Sequence, residues 1–309
     1  MKSFMSWTKK PKKKGVRPPP PKPSKPPASP PTTKGYSPKP EPTQKSPPPP
    51  PKHNSKVTKP KPLPPKQDPE NEFIRIFKKL TYQHRPWDIW KDFVVMTACA
   101  FSNAVDKLCY NEREEMYMDA IKGYSKEELA LFPELLAYTV MALEANPEQD
   151  FLGHIFMSLD LGNEAGGQFF TPYEVSQLMA KITLGDIQKE VKEKGYITIH
   201  DPCCGAGTML IAGINSAREQ LPNVNFQNHI LVVGQDIDQT VALMCYIQIS
   251  LLGVAGYVKV GNSLTEPMSP DDSLENYWFT PIYFSDVWFS RMIAKRMDHL
   301  FEKENENIC

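Results

Sequence analysis

The stretch that most constrains this chain is a strand, a glycine turn and a helix in unbroken succession. Tyr196-Ile197-Thr198-Ile199-His200 is a short β-branched run, and it ends in Asp201-Pro202-Cys203-Cys204-Gly205-Ala206-Gly207-Thr208. An apolar helix follows, carrying Met209, Leu210, Ile211 and Ile214. In α/β folds such a unit brings backbone N–H groups up against a ligand. One Gly-x-Gly says little, but the pattern continues. Ile230-Leu231-Val232-Val233-Gly234 reads as a second strand ending at Gln235-Asp236-Ile237-Asp238. An acidic residue at that tip sits where a ribose presents its hydroxyls. A long apolar helix capped by Asp238 then runs to Gly253, and a third strand, Tyr257-Val258-Lys259-Val260, leads into Gly261-Asn262-Ser263-Leu264. A polar side chain at that third tip, Asn262, is placed to hydrogen-bond an adenine edge.

The ligand is narrowed by two positions. A dinucleotide fold wants a glycine where Leu210 stands, and it does not need Asp201 directly after the first strand. A carboxylate there suits a ligand with its own cation, and S-adenosylmethionine carries an ammonium group. Alone, Asp201 reads equally well as a turn or cap residue.

Upstream, residues 71–165 read as a helical subdomain. Phe93, Met96, Ala100 and Ala104 fit one helix face, and Leu129, Leu136, Val140 and Leu143 another, with Trp87 and Trp90 as core. Next comes Gly166-Gly167-Gln168-Phe169-Phe170-Thr171-Pro172-Tyr173-Glu174. Thr171 is expected to cap a helix that Pro172 begins, with Glu174 completing a capping box. That helix sets Val175, Leu178, Met179 and Ile182 on one side and stops at Gly185. Two adjacent Phe residues in the preceding loop need something to pack against.

Residues 1–70 are a different material. They hold 23 of the 32 prolines and 17 of the 36 Lys+Arg against 3 of the 36 Asp+Glu, a net charge of +14; the remaining 19 cations and 33 anions give the body −14. Such a segment buries too little apolar surface to offset its chain entropy, so a disordered tail with polyproline II character is expected. It serves as a stiff spacer, or its charge holds it near nucleic acid or an acidic partner. No apolar run approaches the roughly 18–20 residues of a membrane span. No hydrophobic stretch follows the charged N-terminus, so no secretory signal is expected. Six cysteines without C-x-x-C spacing favour free thiols over a zinc site or disulfide framework, and a cytoplasmic location.

In their order, these segments resemble the N6-adenine DNA methyltransferases of type I restriction systems, the M (modification) subunits. Gly167-Gln168-Phe169-Phe170-Thr171-Pro172 is similar to the family's G-x-F-[FY]-T-P motif, Asp201 to Thr208 to its D-P-A-C-G-[ST]-G loop, Gly234 to Asp238 to its G-Q-E-I strand end and Gly261 to Leu264 to its G-D-[ST]-L. Residues 150–156 are also similar to the end of the family's helical N-terminal domain. The resemblance covers roughly residues 75 to 285. It implies a Rossmann-like, S-adenosylmethionine-dependent methyltransferase sheet of α/β class over residues 166–309, behind the helical subdomain and the tail. It further implies S-adenosyl-L-methionine as cofactor, held by Phe169, Thr171, Asp201, Gly205, Gly207, Asp236 and Asn262, with DNA and a specificity subunit as partners and no metal.

The family's catalytic motif is [ND]-P-P-[FY], whose first side chain and following carbonyl accept from the adenine N6 amine while the aromatic stacks on the flipped base. This chain contains no such motif. At the expected distance stands Tyr277-Trp278-Phe279-Thr280-Pro281-Ile282-Tyr283, a degenerate version in which Thr280 replaces the amide, Pro281 is kept and Tyr283 stacks. Only four strands can be placed, so the sheet is shortened, and its open edge needs a cover, either the last helix (residues 287–301) or a partner. Two functions follow as expectations. One is an adenine-specific DNA methyltransferase, weakened or inactivated at Thr280–Tyr283. The other is a non-catalytic DNA- or partner-binding protein on the same fold.

Overall fold

A computed structural model describes residues 68–164, 169–269, 271–294 and 297. The tail (residues 1–67), Gly166-Gly167-Gln168 and most of the last helix beyond 294 lie outside the described residues.

Among the described residues seven helices come first: α1 (Pro69–Leu80), α2 (Pro86–Val105), α3 (Tyr110–Ile121), α4 (Lys126–Leu129), α5 (Leu131–Ala145), α6 (Phe151–Ser158) and α7 (Leu161–Glu164). Asp68 caps α1 through the Glu70 N–H, and Pro69 opens it, where a missing N–H costs nothing. The buried face of α5 is Phe132, Leu135, Thr139, Ala142 and Leu143. Sequence spacing had pointed to Leu136 and Val140, roughly a third of a turn away; both are only half-buried. In α2, Phe93 and Met96 are buried as expected, whereas Ala100 and Ala104 are exposed. The physical reason is that α2 is buried without a break from Phe93 to Cys99, with α3 on one side and α11 (Gln239–Leu251) on another, so no single stripe defines its core face.

Two more helices, α8 (Tyr173–Thr183) and α9 (Ile187–Lys194), lead into an alternating unit: β1 (Ile197–Asp201), α10 (Thr208–Glu219), β2 (Ile230–Asp236), α11, β3 (Ala255–Val260) and β4 (Tyr277–Phe279). The class is mixed α/β. The sheet order is β1-β2-β3-β4, with the first three parallel and β4 antiparallel to β3. Thr171 does not cap α8: Pro172 takes the N-cap position with no side-chain bond, and the helix starts at Tyr173. Asp238 does cap α11, accepting from Thr240 N–H at 2.8 Å and Val241 N–H at 3.2 Å.

One apolar core joins the helical part to the sheet. Phe73, Phe77, Phe93 and Phe156 pack around the fully buried Trp90, with ring centroids 5.8 to 6.2 Å from the indole. The indole N–H of Trp90 reaches Met244 Sδ of α11 at 3.4 Å. Burying each such side chain is worth about 1.5–3 kcal/mol. Arg113, 2% exposed, joins the same two parts, pairing with Asp106 at 2.7 Å and stacking 4.3 Å over Trp278.

Candidate functional site

Parallel strands end together, so the loops after β1 and β2 meet. They form a cleft of about 310 Å³, within the range of small-ligand sites. Three chain segments line it: Phe169, Phe170 and Thr171 before α8; Asp201, Cys203, Cys204 and Gly205 after β1; and Asp236 at the end of β2. Thr208 and Met209 of α10 and Val241 of α11 complete the lining. Five of the seven residues expected to hold a cofactor therefore share one cleft: Phe169, Thr171, Asp201, Gly205 and Asp236.

The two glycines of the turn are needed for different reasons. Gly205 has φ +54°, and a Cβ there would stand 3.3 Å from the Phe170 ring. Gly207 has φ +100°, and a Cβ would meet Cys245 Sγ of α11 at 2.8 Å. Gly207 is thus a packing glycine behind the cleft rather than part of its lining. Phe170 is anchored on Phe156, ring centroids 5.4 Å apart, while Phe169 stays 74% exposed at the mouth.

Both carboxylates hold the turn in shape and keep accepting capacity. Asp236 Oδ2 accepts the Gly205 N–H at 2.8 Å and Oδ1 the Asp238 N–H at 3.0 Å. Asp201 Oδ1 accepts the Cys203 N–H at 3.0 Å, and its Oδ2 has no donor among the described residues. Each carboxylate oxygen can accept twice, so a hydroxyl or an ammonium group can be bound without breaking the loop. A hydrogen bond to Cys245 and burial push the Cys204 thiol well up, keeping it protonated. Cys203 is exposed in the cleft, with Sγ 3.7 Å from Ser263 Oγ of the loop after β3.

Asn262 does not join the lining. Its Oδ1 already accepts the Leu264 N–H at 2.9 Å and the Thr265 N–H at 3.3 Å, so the carbonyl expected to meet an adenine amine shapes its own turn.

The expected catalytic segment is displaced more severely. Because β4 runs antiparallel to β3, with Lys259 opposite Tyr277 and Tyr257 opposite Phe279, Thr280 lies beside Gly256 at the start of β3. The cleft is at the other end of the sheet, about 13 Å along β3, and β4 is three strand spacings, about 14 Å, from β1. Thr280 is fully buried; its hydroxyl donates to the Val254 carbonyl at 2.7 Å and accepts the Gly256 N–H at 3.0 Å. Pro281 opens a short 3-10 turn, Pro281–Phe284. Tyr283 stacks on Phe279 at 4.9 Å, and burial pushes its phenol up to about 12. None of the three lines the cleft, where the resemblance leads one to expect them: order along the chain does not give a place in the sheet, and the reversed β4 carries this segment to the opposite end.

A buried network behind the turn was missed from sequence. Asp150 Oδ1 accepts the Gly153 N–H and Gln248 Nε2, both at 2.8 Å, while its Oδ2 accepts the Thr208 hydroxyl. Gln248, wholly buried in α11, also donates to the Ala206 carbonyl at 2.9 Å and accepts the Leu152 N–H at 3.0 Å. One carboxylate and one amide so tie α6, α11 and the glycine turn together. The available signal was a glutamine inside an otherwise apolar helix, since buried polar groups need partners. Among the described residues no cluster of His, Cys, Asp or Glu could hold a metal ion, and no helix is long and apolar enough to cross a membrane.

Comparison with known proteins matches residues 149–308, just over half of the chain, to the family model described as N-6 DNA Methylase. The type I restriction enzyme MjaVII methylase subunit of Methanocaldococcus jannaschii is 30% identical over 104 residues, 33% of this chain and 16% of that protein. The MjaVIII methylase subunit of the same organism is 32% identical over 104 residues, 33% of this chain and 15% of that protein. The MpnII methylase subunit of Mycoplasma pneumoniae is 27% identical over 97 residues, covering 31% and 16%. The matched stretch thus spans about a sixth of each relative's length. No solved structure matches the chain.

Proposed function

The chain belongs to the N-6 DNA methylase family, and from that premise we propose that its cleft binds S-adenosylmethionine for methyl transfer to adenine N6 in DNA. The observation that carries the reading is the convergence of Phe169, Thr171, Asp201, Gly205 and Asp236, from three separate segments, on one cleft of about 310 Å³ at the strand ends. The fit is chemical as well as spatial. Asp236 would accept from ribose hydroxyls, Asp201 would pair with the methionine ammonium, and Phe169 and Thr171 would line the methionine part. The bound cofactor supplies an electrophilic methyl group. The protein's part is to orient it, exclude water and hold the amine that attacks it. On this reading the sheet is a shortened Rossmann-like methyltransferase sheet, the partners are DNA and other restriction-modification subunits, and the location is the cytoplasm.

A second reading is favoured by the position of Thr280, Pro281 and Tyr283. With these residues at the far end of the sheet, the described part of the chain holds the methyl donor without a group to hold the acceptor. By itself it then acts as a cofactor-binding or partner-binding module. Calorimetric titration of S-adenosylmethionine tests the shared premise. Micromolar binding that Asp236→Ala abolishes is the expected result, and no binding by the intact chain overturns it. A methyl-transfer assay on adenine-containing DNA separates the two readings: activity by the chain alone favours the first, binding without transfer the second.

A further inference from the structure

After the 3-10 turn Pro281–Phe284 the chain enters one more helix, over residues 286–294 with Met297 still helical. One side of it is fastened to the start of the sheet. Trp288 is buried and donates its indole N–H to the Gln227 carbonyl at 2.7 Å. One turn on, Arg291 donates to the Asn228 carbonyl and, at 3.2 Å, to the Gly195 carbonyl. Its guanidinium lies 4.7 Å from the Trp288 ring and 5.1 Å from that of Tyr196. Gly195 and Asn228 stand just before β1 and β2, so the helix sits at the end of the sheet away from the cleft.

The opposite side is apolar and uncovered. Phe289, Met292, Ile293 and Met297 are 50, 40, 44 and 50% exposed. Their i, i+3, i+4, i+8 spacing gathers them on one face, and Arg291 falls about half a turn from its centre. In the sequence the same spacing goes on at Leu300 and Phe301. Helices turn a stripe of this kind toward a core. Here the face toward the body is held instead by Trp288 and the hydrogen bonds of Arg291, which leaves the stripe for a partner.

The charges beside the stripe indicate which partner. Just before Met297 stand Lys295 and Arg296, a charge of +2; after it stand Asp298, Glu302, Glu304 and Glu306 with Lys303, 1 − 4 = −3. Two copies laid side by side in parallel would set like charges against each other. Turned antiparallel about a two-fold axis near Met297, each positive half meets the other copy's negative half. The same turn brings Phe289, Met292 and Ile293 of one copy to the level of Leu300 and Phe301 of the other.

We propose that this face is a self-association surface, on which a second copy of the chain docks its own residues 286–306 in the antiparallel sense. The apolar stripe supplies the attraction and the divided charge sets the direction, as flanking charges do in paired helices. The surface lies at the far end of the sheet from the cleft and does not depend on what the cleft binds.

Sedimentation equilibrium of the full chain tests this, with a reductant present so that no disulfide joins two copies. As the concentration rises from about 1 to about 100 μM, the mass should climb from the 35.1 kDa of one chain toward twice that value. Ile293→Glu puts a charge in the stripe and should weaken the association about tenfold or more, with the circular dichroism of the parent because the side chain is exposed. Lys295→Glu with Arg296→Glu makes both halves negative; Glu302→Lys with Glu304→Lys and Glu306→Lys makes both positive. Each set alone should lose the association, and an equimolar mixture of the two should regain it, which also shows that both variants fold. A full chain that stays at the mass of one copy throughout overturns the proposal, and so does a mixture that fails to associate. Association that Ile293→Glu or both charge reversals leave intact overturns it as well, since the second copy then sits on another surface, such as the exposed apolar side of α8.

Discussion

Asp150 is 7% exposed and accepts three hydrogen bonds, one of them from Thr208, which directly follows the glycine turn. Gln248 is the partner that can be removed with least change of shape. Gln248→Leu leaves the Ala206 carbonyl, the Leu152 N–H and one acceptor site of Asp150 unpaired in a buried place, at a cost of about 1–3 kcal/mol for each orphaned group. The midpoint of urea unfolding should fall accordingly, and S-adenosylmethionine affinity should drop with it because Ala206 lies inside the turn. Unchanged affinity in a destabilised variant would show that the network holds the fold and not the site. Cys203 offers a chemical probe of the cleft, being the one exposed thiol of the five described. Iodoacetamide should modify it first, and bound S-adenosylmethionine should slow that reaction. At the far side of the sheet, hydrogen bonds from Lys259, then Tyr277 and the Ser269 N–H, hold the Asp272 carboxyl down to about 2 from an ordinary 3.8. A depressed folded value means its contribution to stability is full above about pH 4 and is lost as pH falls toward 2. A carboxyl NMR titration should find that low midpoint and its rise toward 3.8 in Lys259→Met.

At the scale of elements, what could be read from sequence was local pattern. The runs Ile197–His200, Ile230–Gly234 and Tyr257–Val260 became strands, and Asp238 caps α11, because β-branched runs and caps act over a few residues. The cleft residues Asp201, Gly205 and Asp236 were legible for the same reason: a parallel strand delivers its C-terminal residue to the same end of the sheet every time. Direction was not legible. Nothing in Tyr277-Trp278-Phe279 distinguishes a strand parallel to its neighbour from one that is antiparallel, and the choice is made by Tyr257, Tyr277, Phe279 and Tyr283 clustering at centroid distances of 4.9 to 6.1 Å. Thr280 is therefore a structural residue at the base of β3. Thr280→Val should cost about 1–3 kcal/mol by leaving the Gly256 N–H and Val254 carbonyl unpaired, and should leave cofactor affinity intact. Cofactor binding lost with the melting temperature unchanged would contradict that placement. The α8 stripe of Val175, Leu178, Met179 and Ile182 was legible as a stripe, yet all four are exposed and the helix buries Ser176 and Ala180 instead, because α8 packs on α10 through its small residues.

At the scale of the molecule the charge is divided almost as sharply as it can be, +14 on residues 1–70 and −14 on the rest. A surface of that sign repels a phosphate backbone, so whatever attraction this chain has for DNA without a partner should come from the 17 Lys and Arg of the tail. Such attraction is carried by counterion release, which has a defined signature. If the tail neutralises about six phosphates, affinity falls roughly a thousandfold between 50 and 200 mM salt, with little dependence on base sequence. Deleting residues 1–67 should therefore abolish duplex binding at every salt concentration, while the cleft keeps its affinity for S-adenosylmethionine. Substituting eight of the tail lysines by glutamine should lower the slope of log affinity against log salt and leave the body's stability unchanged. Fluorescence anisotropy of a labelled duplex across a salt series measures all three forms. An affinity that survives the deletion would move the DNA contact onto the acidic body, against its net charge, and would call for a local basic surface there that outweighs it.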